Sequence, residues 1–285
     1  ERTLELNRAA AEIARRAAGR CEAADGRPRF VAGSMGPSGF LPSSEDPELG
    51  RLALEDLMPA FEVQARGLVE GGADVLILET CQDMIEMRAQ ILAAREAMRA
   101  AARTVPLQCS VTLDPAGRML LGTDVGAALA TLEAMQVEIV GLNCSTGPDL
   151  MRDAVRYLSQ NAGTFLHCIP NAGLPINDGG RTVYPMKPGP MADTLREFVD
   201  ELGVNIVGGC CGTTPDHVRA MVAAVGRRAP AKRPGRSGWF LSSGMTTTAM
   251  SQEPRPLVIG ERLNTQGSRK VKALVLEDRL EELIP

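Results

Sequence analysis

The sequence has few aromatic residues, little excess charge of either sign and no long hydrophobic run. Aromatic side chains make up 3% of its 285 residues, so the core must be built from aliphatic side chains. A formal net charge of −4 gives no electrostatic reason to expect binding to nucleic acid or to an anionic membrane. No stretch approaches the roughly 18 apolar residues of a membrane-spanning helix, and none has the pattern of a signal peptide. These absences argue against nucleic-acid-binding and membrane-spanning classes of protein.

The rest of the composition is typical of a globular α/β protein. Apolar residues make up 44% and charged residues 23% of the chain. Its length fits one α/β barrel of roughly 250 residues with an appendage. The seven cysteines are irregularly spaced, which favours reduced thiols and a cytoplasmic location. Because the chain begins at Glu1, directly in a helical pattern, we expect it to be a fragment.

The glycine-rich run from Gly208 to Thr214 places two adjacent thiols between a strand and a helix. The apolar segment 205–207 precedes this run, and the segment 214–216, Thr-Pro-Asp, has the character of a helix start. Neighbouring cysteines close a disulfide only through a strained ring. Binding one metal ion is therefore a better use for Cys210 and Cys211.

A third thiol, Cys144, follows the apolar run 137–142 in a matching position. Three cysteines at the carboxyl ends of two strands fit a zinc site with one coordination position open, the arrangement of catalytic rather than structural zinc. A cysteine without such a context is more simply a small buried hydrophobe. That is our interpretation of the four remaining cysteines, which are Cys21, Cys81, Cys109 and Cys168.

Apolar segments and helical patterns alternate along the chain at a spacing of roughly 35 residues. We predict six strands alternating with helices, with polar and cysteine residues where the strands end, as in barrel active sites. The predicted fold class is α/β, a (β/α)8 TIM barrel. Six strands are two short of eight, so we expect the first two βα units to precede Glu1. The first helix should bury one face, formed by Leu6, Ala10, Ile13 and Ala17.

Three segments lie outside this alternation. Residues 176–190 are rich in glycine and proline and are predicted to form an irregular loop. Residues 228–255 have the composition of a linker that follows a barrel domain over residues 1–227. Residues 256–285 combine a short apolar run with a helical pattern over 270–283, which predicts the first βα unit of a second domain.

The segments Gly141–Cys144 and Gly208–Pro215 closely resemble the zinc motifs of the homocysteine S-methyltransferase family. Leu78–Thr80 and Pro170–Pro175 also resemble segments of that family, and both fall at predicted strand ends. Within the family, the sequence is most similar to the homocysteine-binding modules of cobalamin-dependent methionine synthases. Residues 258–268 resemble the first strand and loop of the pterin-binding domain that follows such a module. The fold and the chemistry of the family are therefore expectations for this chain.

The resemblance implies a role for each matching residue. Cys144, Cys210 and Cys211 would bind zinc, and homocysteine would take the open position. Glu79 would bind the amino group of the substrate, although a salt bridge to a neighbouring loop is the alternative. Asn171 matches a position whose amide oxygen can act as a fourth zinc ligand, although a loop amide that caps backbone groups is nearly as good an interpretation.

Further residues carry weaker expectations. Asn143 is a candidate for substrate binding, but it more simply shapes the turn that presents Cys144. Asn264 matches a position close to the pterin. His217 is expected at the surface of a helix, and His167 is expected to pack near a strand end. No residue is assigned as a catalytic acid or base.

The expected function is zinc-dependent methyl transfer to the thiol of homocysteine, giving methionine. Zinc coordination would make the thiol a nucleophile at neutral pH, because its ordinary pKa is about 8.5. For the full-length protein the resemblance implies cobalamin and methyltetrahydrofolate as cofactors, and a corrinoid-binding module as partner. Two alternatives stay open. The methyl donor could instead be betaine or S-methylmethionine, or the chain could be a non-catalytic binding module stabilised by zinc.

Overall fold

A sheet of six parallel strands organises the fold. The computed structural model describes residues 2–235, 238–251, 253–256, 265, 267–279 and 282. The sheet contains the first five strands and the eighth, which lie side by side in chain order, while the sixth and seventh strands pair only with each other. In chain order the strands are β1 (Ala32–Met35), β2 (Val75–Cys81), β3 (Leu107–Val111), β4 (Ile139–Asn143), β5 (Phe165–Ile169), β6 (Ile176–Asp178), β7 (Arg181–Val183) and β8 (Ile206–Val207).

Helices connect successive strands of the sheet. Several begin as their sequences predict: the Asp83 carboxylate accepts a hydrogen bond from Ile85 N at 2.7 Å, and Asp124 accepts one from Ala127 N at 2.8 Å. Three other helices begin with proline, whose fixed φ suits a first turn. The helices are α1 (Arg2–Asp25), α2 (Leu54–Glu70), α3 (Met84–Ala100), α4 (Val125–Ala134), α5 (Pro148–Asn161), α6 (Pro188–Asp200), α7 (Pro215–Val225) and α8 (Arg269–Leu276).

The aliphatic core lies between the sheet and the helices. Side chains on one face of the strands, such as Leu78, Leu142 and Leu166, are fully buried together with Phe198 of α6. This repetition of strand and helix confirms the predicted α/β class, and a parallel sheet in chain order is consistent with part of a TIM barrel. The carboxyl ends of its strands therefore share one edge, where Asn143 ends β4.

The first helix buries a different face from the one that the sequence pattern predicts. Leu6 and Ile13 are about 60% exposed, whereas Ala11 is buried. The cause is close packing against α2, where a Cβ at Gly67 or Gly71 would lie about 2.5 Å from backbone oxygens of α1. Because these two glycines admit the backbone of α1 itself, the face of the helix that contains Ala11 turns inward.

Two segments without predicted structure contain β-hairpins. The predicted irregular loop contains β6 and β7, all of whose residues are exposed. The predicted linker contains β9 (Phe240–Ser242) and β10 (Thr247–Ala249). The chain divides into two compact units, residues 1–237 with 242–247 and residues 238–241 with 248–285.

The predicted second-domain unit is described only in part. Residues 257–260, which carry most of the predicted strand, and Asn264 lie outside the described residues. The predicted helix is shorter than expected, because α8 ends at Leu276 and Glu277 is its C-cap. Within the part of the chain that the structure describes, no helix is long and apolar enough to cross a membrane.

Candidate metal centre

Three cysteine side chains meet at the carboxyl-terminal edge of the sheet. Cys144 follows β4, and Cys210 and Cys211 follow β8, on the other side of β5. The Sγ atom of Cys211 lies 3.9 Å from that of Cys144 and 3.8 Å from that of Cys210. All three sulfurs lie within 4.8 Å of one another. The structure thus brings together the three thiols that the sequence analysis assigned to zinc.

The end of β5 holds both cysteine-bearing segments. Cys144 N donates to Ile169 O at 3.2 Å, and Cys210 N donates to Pro170 O at 2.7 Å. Cys144 and Ser145 both have left-handed backbones, with φ of 62° and 61°. This conformation is uncommon for residues other than glycine and turns the chain sharply after β4. The two thiol-bearing turns are therefore attached to one shared strand end.

Glycines flank the paired thiols because the chain packs too closely for side chains there. Gly212 has a φ of +77°, and a Cβ at this position would lie 2.3 Å from the Cβ of Tyr184. A Cβ at Gly209 would lie 2.2 Å from Thr213 Oγ1. These contacts give a physical reason for the glycine-rich motif that the sequence analysis used to identify the site.

The closeness of the three thiols separates their acidities. The Cys210 side chain is the largest cause that lowers the pKa of Cys144 to about 5. The same interaction raises the pKa of Cys210 well above its ordinary value. Cys144 is therefore the more acidic thiol of this pair. Because the thiolate is the metal-binding form of cysteine, the cluster presents one ready ligand at neutral pH.

Asn171 is buried between the cysteine segments. Its Oδ1 accepts a hydrogen bond from Cys211 N at 3.1 Å, and its side chain is one of the groups that lower the pKa of Cys144. Its backbone N donates to Thr146 O at 3.0 Å. Asn171 therefore connects the Cys211 turn to the segment that follows Cys144. Its role as a fourth metal ligand stays a prediction, because the amide oxygen already accepts from Cys211.

Asn143 connects the thiols to the predicted substrate carboxylate. Its Oδ1 accepts from Thr80 N at 2.8 Å, while its Nδ2 donates to Thr80 Oγ1 at 2.9 Å and to Glu79 Oε2 at 3.2 Å. The same Nδ2 lies 3.9 Å from the Sγ of Cys210. The other Glu79 oxygen accepts from the hydroxyl of Ser34. Asn143 is fully buried, so its contacts favour the predicted turn-shaping role, and substrate binding by Glu79 stays a prediction.

Sequence reasoning missed two residues at this site. Tyr184, in the loop between β7 and α6, packs against the turn after Cys211, since a Cβ at Gly212 would lie 2.3 Å from its own Cβ. Thr112 Oγ1 donates to Asn143 O at 3.0 Å, next to the turn that presents Cys144. Neither residue lies in a motif, and only the fold brings them to the cysteines.

The expectation that His217 lies at the surface is wrong. Its ring is 6% exposed, its Nδ1 accepts from Thr214 N at 3.2 Å, and its Nε2 lies 3.0 Å from Met186 O. Since Nδ1 accepts, Nε2 carries the proton and donates to Met186. The spacing of Thr214 and His217, which matches that of a capping box, was the available signal in the sequence.

The remaining candidates lie outside the cysteine cluster. His167 is buried in β5, and burial lowers its pKa to about 3, so its ring is neutral at physiological pH. Cys81, Cys109 and Cys168 are buried, as expected for structural thiols, but the same expectation is wrong for Cys21, which is exposed on α1.

Similar proteins fit this arrangement. Methionine synthase of Mycobacterium tuberculosis is 40% identical over 282 residues, which cover 98% of this chain and 23% of the relative. Methionine synthase of Mycobacterium leprae is 40% identical over 280 residues, with 96% and 23% covered. The chain therefore spans about a quarter of the length of these relatives.

Solved structures give the same indication. The apo form of the homocysteine methyltransferase MmuM from Escherichia coli superposes with a TM-score of 0.60 at 25% identity, over 78% of this chain and 74% of that one. The metallated form of MmuM has the same TM-score at 24% identity, over 77% and 70%, and shows the fold alone. The family model described as homocysteine S-methyltransferase matches residues 1–225. The predicted family is confirmed: this chain belongs to the homocysteine S-methyltransferase family, whose members are methyltransferases.

Proposed function

We propose that this chain binds homocysteine and zinc at the cysteine cluster and supports methyl transfer to the homocysteine sulfur, giving methionine. In this reaction a carbon–sulfur bond forms and the substrate thiol loses its proton. The methyl donor keeps the electron pair of the bond that breaks. Membership of the family supports this reaction class.

The contacts of one amide nitrogen carry the proposal. Nδ2 of Asn143 lies 3.2 Å from a carboxylate oxygen of Glu79 and 3.9 Å from the sulfur of Cys210. A carboxylate that can pair with an ammonium group is therefore a short distance from a thiol cluster. Homocysteine has an ammonium group at one end and a thiol at the other, and a molecule of this length can reach both.

The donor set fits a zinc ion. Ligand sulfurs at the usual Zn–S distance of about 2.3 Å lie about 3.8 Å apart in a tetrahedral site. The Sγ atoms here are separated by 3.8 Å and 3.9 Å in the two closest pairs. Cys144, Cys210 and Cys211 would hold the ion, which when bound supplies a Lewis acid that keeps a substrate thiol deprotonated at neutral pH.

The chain itself would orient the substrate. Glu79 accepts hydrogen bonds from Ser34 and Asn143, one on each carboxylate oxygen, so its orientation is set before substrate arrives. Cys211 is exposed, which leaves the outer side of the cluster accessible to a thiol and to a methyl donor. The cysteines and Glu79 would thus fix the two ends of homocysteine relative to each other.

We further propose that the methyl group is delivered through cobalamin, held by a corrinoid-binding partner module, with methyltetrahydrofolate as its source. The similarity to methionine synthases supports this donor. In the same proposal residues 1–227 are the homocysteine-binding domain, 228–255 a linker and 256–285 the start of a pterin-binding domain in which Asn264 contacts the pterin.

Zinc X-ray absorption with and without homocysteine tests the site. We expect three sulfur neighbours in the purified chain and four after homocysteine is added, because the substrate thiol takes the open position. Coordination that does not respond to the thiol would contradict the proposal and indicate a structural zinc. Given four sulfurs, a comparison of methylated cobalamin, betaine and S-methylmethionine as donors would identify the methyl source.

A further inference from the structure

Two buried polar side chains of α3 hold the start of the loop that follows β1. Gln90 Nε2 donates to Gly36 O at 2.9 Å. One oxygen of Glu86, Oε1, accepts from Ser38 N at 2.6 Å and from the Ser38 hydroxyl. Glu86 and Gln90 are both fully buried, and they lie one helical turn apart on the same face of α3. Their head groups therefore meet at the three-residue segment 36–38.

Each of these two side chains has a second oxygen without a partner. Glu86 Oε2 and Gln90 Oε1 have no hydrogen-bond partner among the described residues, and both are closed off from solvent. An ionised carboxylate and an amide oxygen are both acceptors, so neither can satisfy the other. Turning the amide of Gln90 over would not help, because its oxygen would then face the carbonyl oxygen of Gly36. The donor that these oxygens need must come from one of the two side chains.

A proton on Glu86 provides that donor. A protonated carboxyl group has one O–H donor, and the amide oxygen of Gln90 is an acceptor one turn away. We propose that Glu86 keeps its proton in the folded chain and donates a hydrogen bond from Oε2 to Gln90 Oε1. This bond would close a ring of hydrogen bonds that runs from Gly36 through Gln90 and Glu86 to Ser38. Loss of the proton at higher pH would open the ring, which makes this attachment of the loop sensitive to pH.

A neighbouring carboxyl group explains why Glu86 and not Asp83 takes the proton. Asp83 is also buried, but its two oxygens accept from Ser43 N at 2.7 Å, from Ser43 Oγ at 2.8 Å and from Ile85 N at 2.7 Å. These donors stabilise its negative charge. A second negative charge one turn further along α3 is then disfavoured, and Glu86 has donors on only one of its oxygens.

The other groups around Glu86 act in both directions. Burial is the largest cause that raises the pKa of Glu86, and the charge of Asp83 adds to it, while the hydrogen bonds from Ser38 oppose them. The Cys81 thiol of β2 is uncharged, because burial raises its pKa. Among the described residues, no lysine or arginine is within ion-pair distance of Glu86 to stabilise a charge on it.

Infrared spectroscopy of the full chain is the first measurement, because a protonated carboxyl group has a carbonyl band distinct from that of a carboxylate. Subtraction of the E86Q spectrum assigns the band, since glutamine resembles the protonated acid and can keep the ring closed. We expect the Glu86 band to persist as the pH rises above 4.5, the ordinary pKa of this side chain. Disappearance of the band at or below that pH would overturn the proposal.

Substitution of the acceptor tests the partner of the proton. Q90L removes the amide oxygen, so the protonated form loses its hydrogen bond, and we expect the acid dissociation constant of Glu86 to rise about fivefold. Q108L is the matched control, because Gln108 is another buried glutamine and lies on β3. It should leave the constant unchanged. An equal constant in Q90L and the wild-type chain would show that Gln90 is not the acceptor.

The side-chain amide resonance of Gln90 gives a test that leaves this residue intact. We expect it to move with the same pH midpoint as the infrared band in the wild-type chain and to stay fixed in E86Q. The amide resonance of Gln108 should not follow that midpoint. A Gln90 resonance that ignores the titration of Glu86 would contradict the ring. Neither measurement involves zinc or homocysteine, so failure of the proposed function would leave this inference standing.

Discussion

Cysteines at the strand ends and cysteines within the strands occupy opposite environments in this molecule. Cys168, inside β5, is fully buried, its sulfur lies 3.8 Å from Met151 Sδ, and burial raises its pKa to about 12. Cys144, just beyond β4, is half-buried beside other thiols, and its pKa is about 5. The same side chain is therefore an inert packing group in one place and a ready anion in the other.

The difference arises from what surrounds each sulfur. An isolated thiol among aliphatic side chains has no group to stabilise its negative charge, so the proton stays bound. In the cluster, neighbouring polar groups of Cys210, Ser145, Cys211 and Asn171 lower the pKa of Cys144. We infer that clustered polar contacts, and not exposure alone, distinguish a ligand cysteine from a structural cysteine in this fold.

Alanine substitutions of one cysteine from each environment should have the most divergent effect on metal binding. C210A removes a sulfur of the cluster, and we expect bound zinc to be lost, because two remaining thiols are a poor site. C168A removes a buried sulfur, and we expect zinc to be retained at one ion per chain with a modest loss of stability. Elemental analysis after dialysis measures both. Stoichiometric zinc in C210A would contradict the assignment of the cluster.

Two glycines with similar backbones test whether packing around the thiols sets the stability of the site. Gly212 and Gly117 have φ of +77° and +79°, but only Gly212 has neighbours where a Cβ would lie. We expect G117A to lower the free energy of unfolding by about 1 kcal/mol through backbone strain. G212A should cost about 3 kcal/mol, because a collision with Tyr184 is added. Urea unfolding measures the difference, and equal losses would show that the turn relaxes freely.

His217 should contribute less than Gly212 but more than a surface residue. H217A leaves Thr214 N and Met186 O without their partner, so we expect a loss of about 2 kcal/mol in the free energy of unfolding. H217Q retains an acceptor and a donor and should recover part of that loss. Thermal unfolding of both variants provides the measurement. Identical stabilities for the two variants would mean that the ring acts by volume alone.

The buried carboxyl group of Glu86 allows the same comparison of environments to be made for a carboxylate. Its expected effect on the free energy of unfolding is the smallest of those predicted here. Burial raises the pKa of Glu86, which lies on α3 and accepts from Ser38 N at 2.6 Å. The folded chain then binds this proton more tightly than the unfolded chain does. The free energy of unfolding should therefore fall as the pH rises from the ordinary pKa of 4.5 to the raised value, and stay level above it.

Replacement of Glu86 by glutamine should remove that decline, because the amide resembles the protonated acid. Within the window the wild-type and E86Q profiles should diverge by at most about 1.4 kcal/mol per pH unit. Urea unfolding across the pH range measures the slope. Parallel profiles would show that Glu86 titrates normally.

The thiol site was predictable because its signal is local. A short apolar run, a glycine-rich turn and a helix start follow one another around Cys210. This order predicts where the strand and the helix end and begin, and it places Cys210 and Cys211 at the end of a strand. The partner Cys144 could be found because it follows another apolar run in the same way. Parallel strands then bring such ends together whatever lies between them.

Other features depend on contacts that no local pattern encodes. The apolar stripe of α1 that contains Leu6 predicts burial, but Gly67 and Gly71 of α2 admit a different face of the helix. Tyr184 lies in a loop without periodicity, and its contact with Gly212 arises only after the chain has folded. The β6–β7 hairpin is exposed on both faces and so lacks the alternation that marks a strand.

The buried amide of Asn143 has a consequence for the choice between amino acids of different length. It contacts Glu79 and Cys210 with the same nitrogen and is itself held by Thr80, so the separation of carboxylate and sulfur is rigid. If Glu79 and the cysteine cluster bind the two ends of homocysteine as proposed, cysteine, which is one methylene shorter, would span this fixed interval less well. One methylene commonly changes enzyme specificity by about 10–200-fold. Discrimination against cysteine would then depend on the fixed position of the Asn143 side chain.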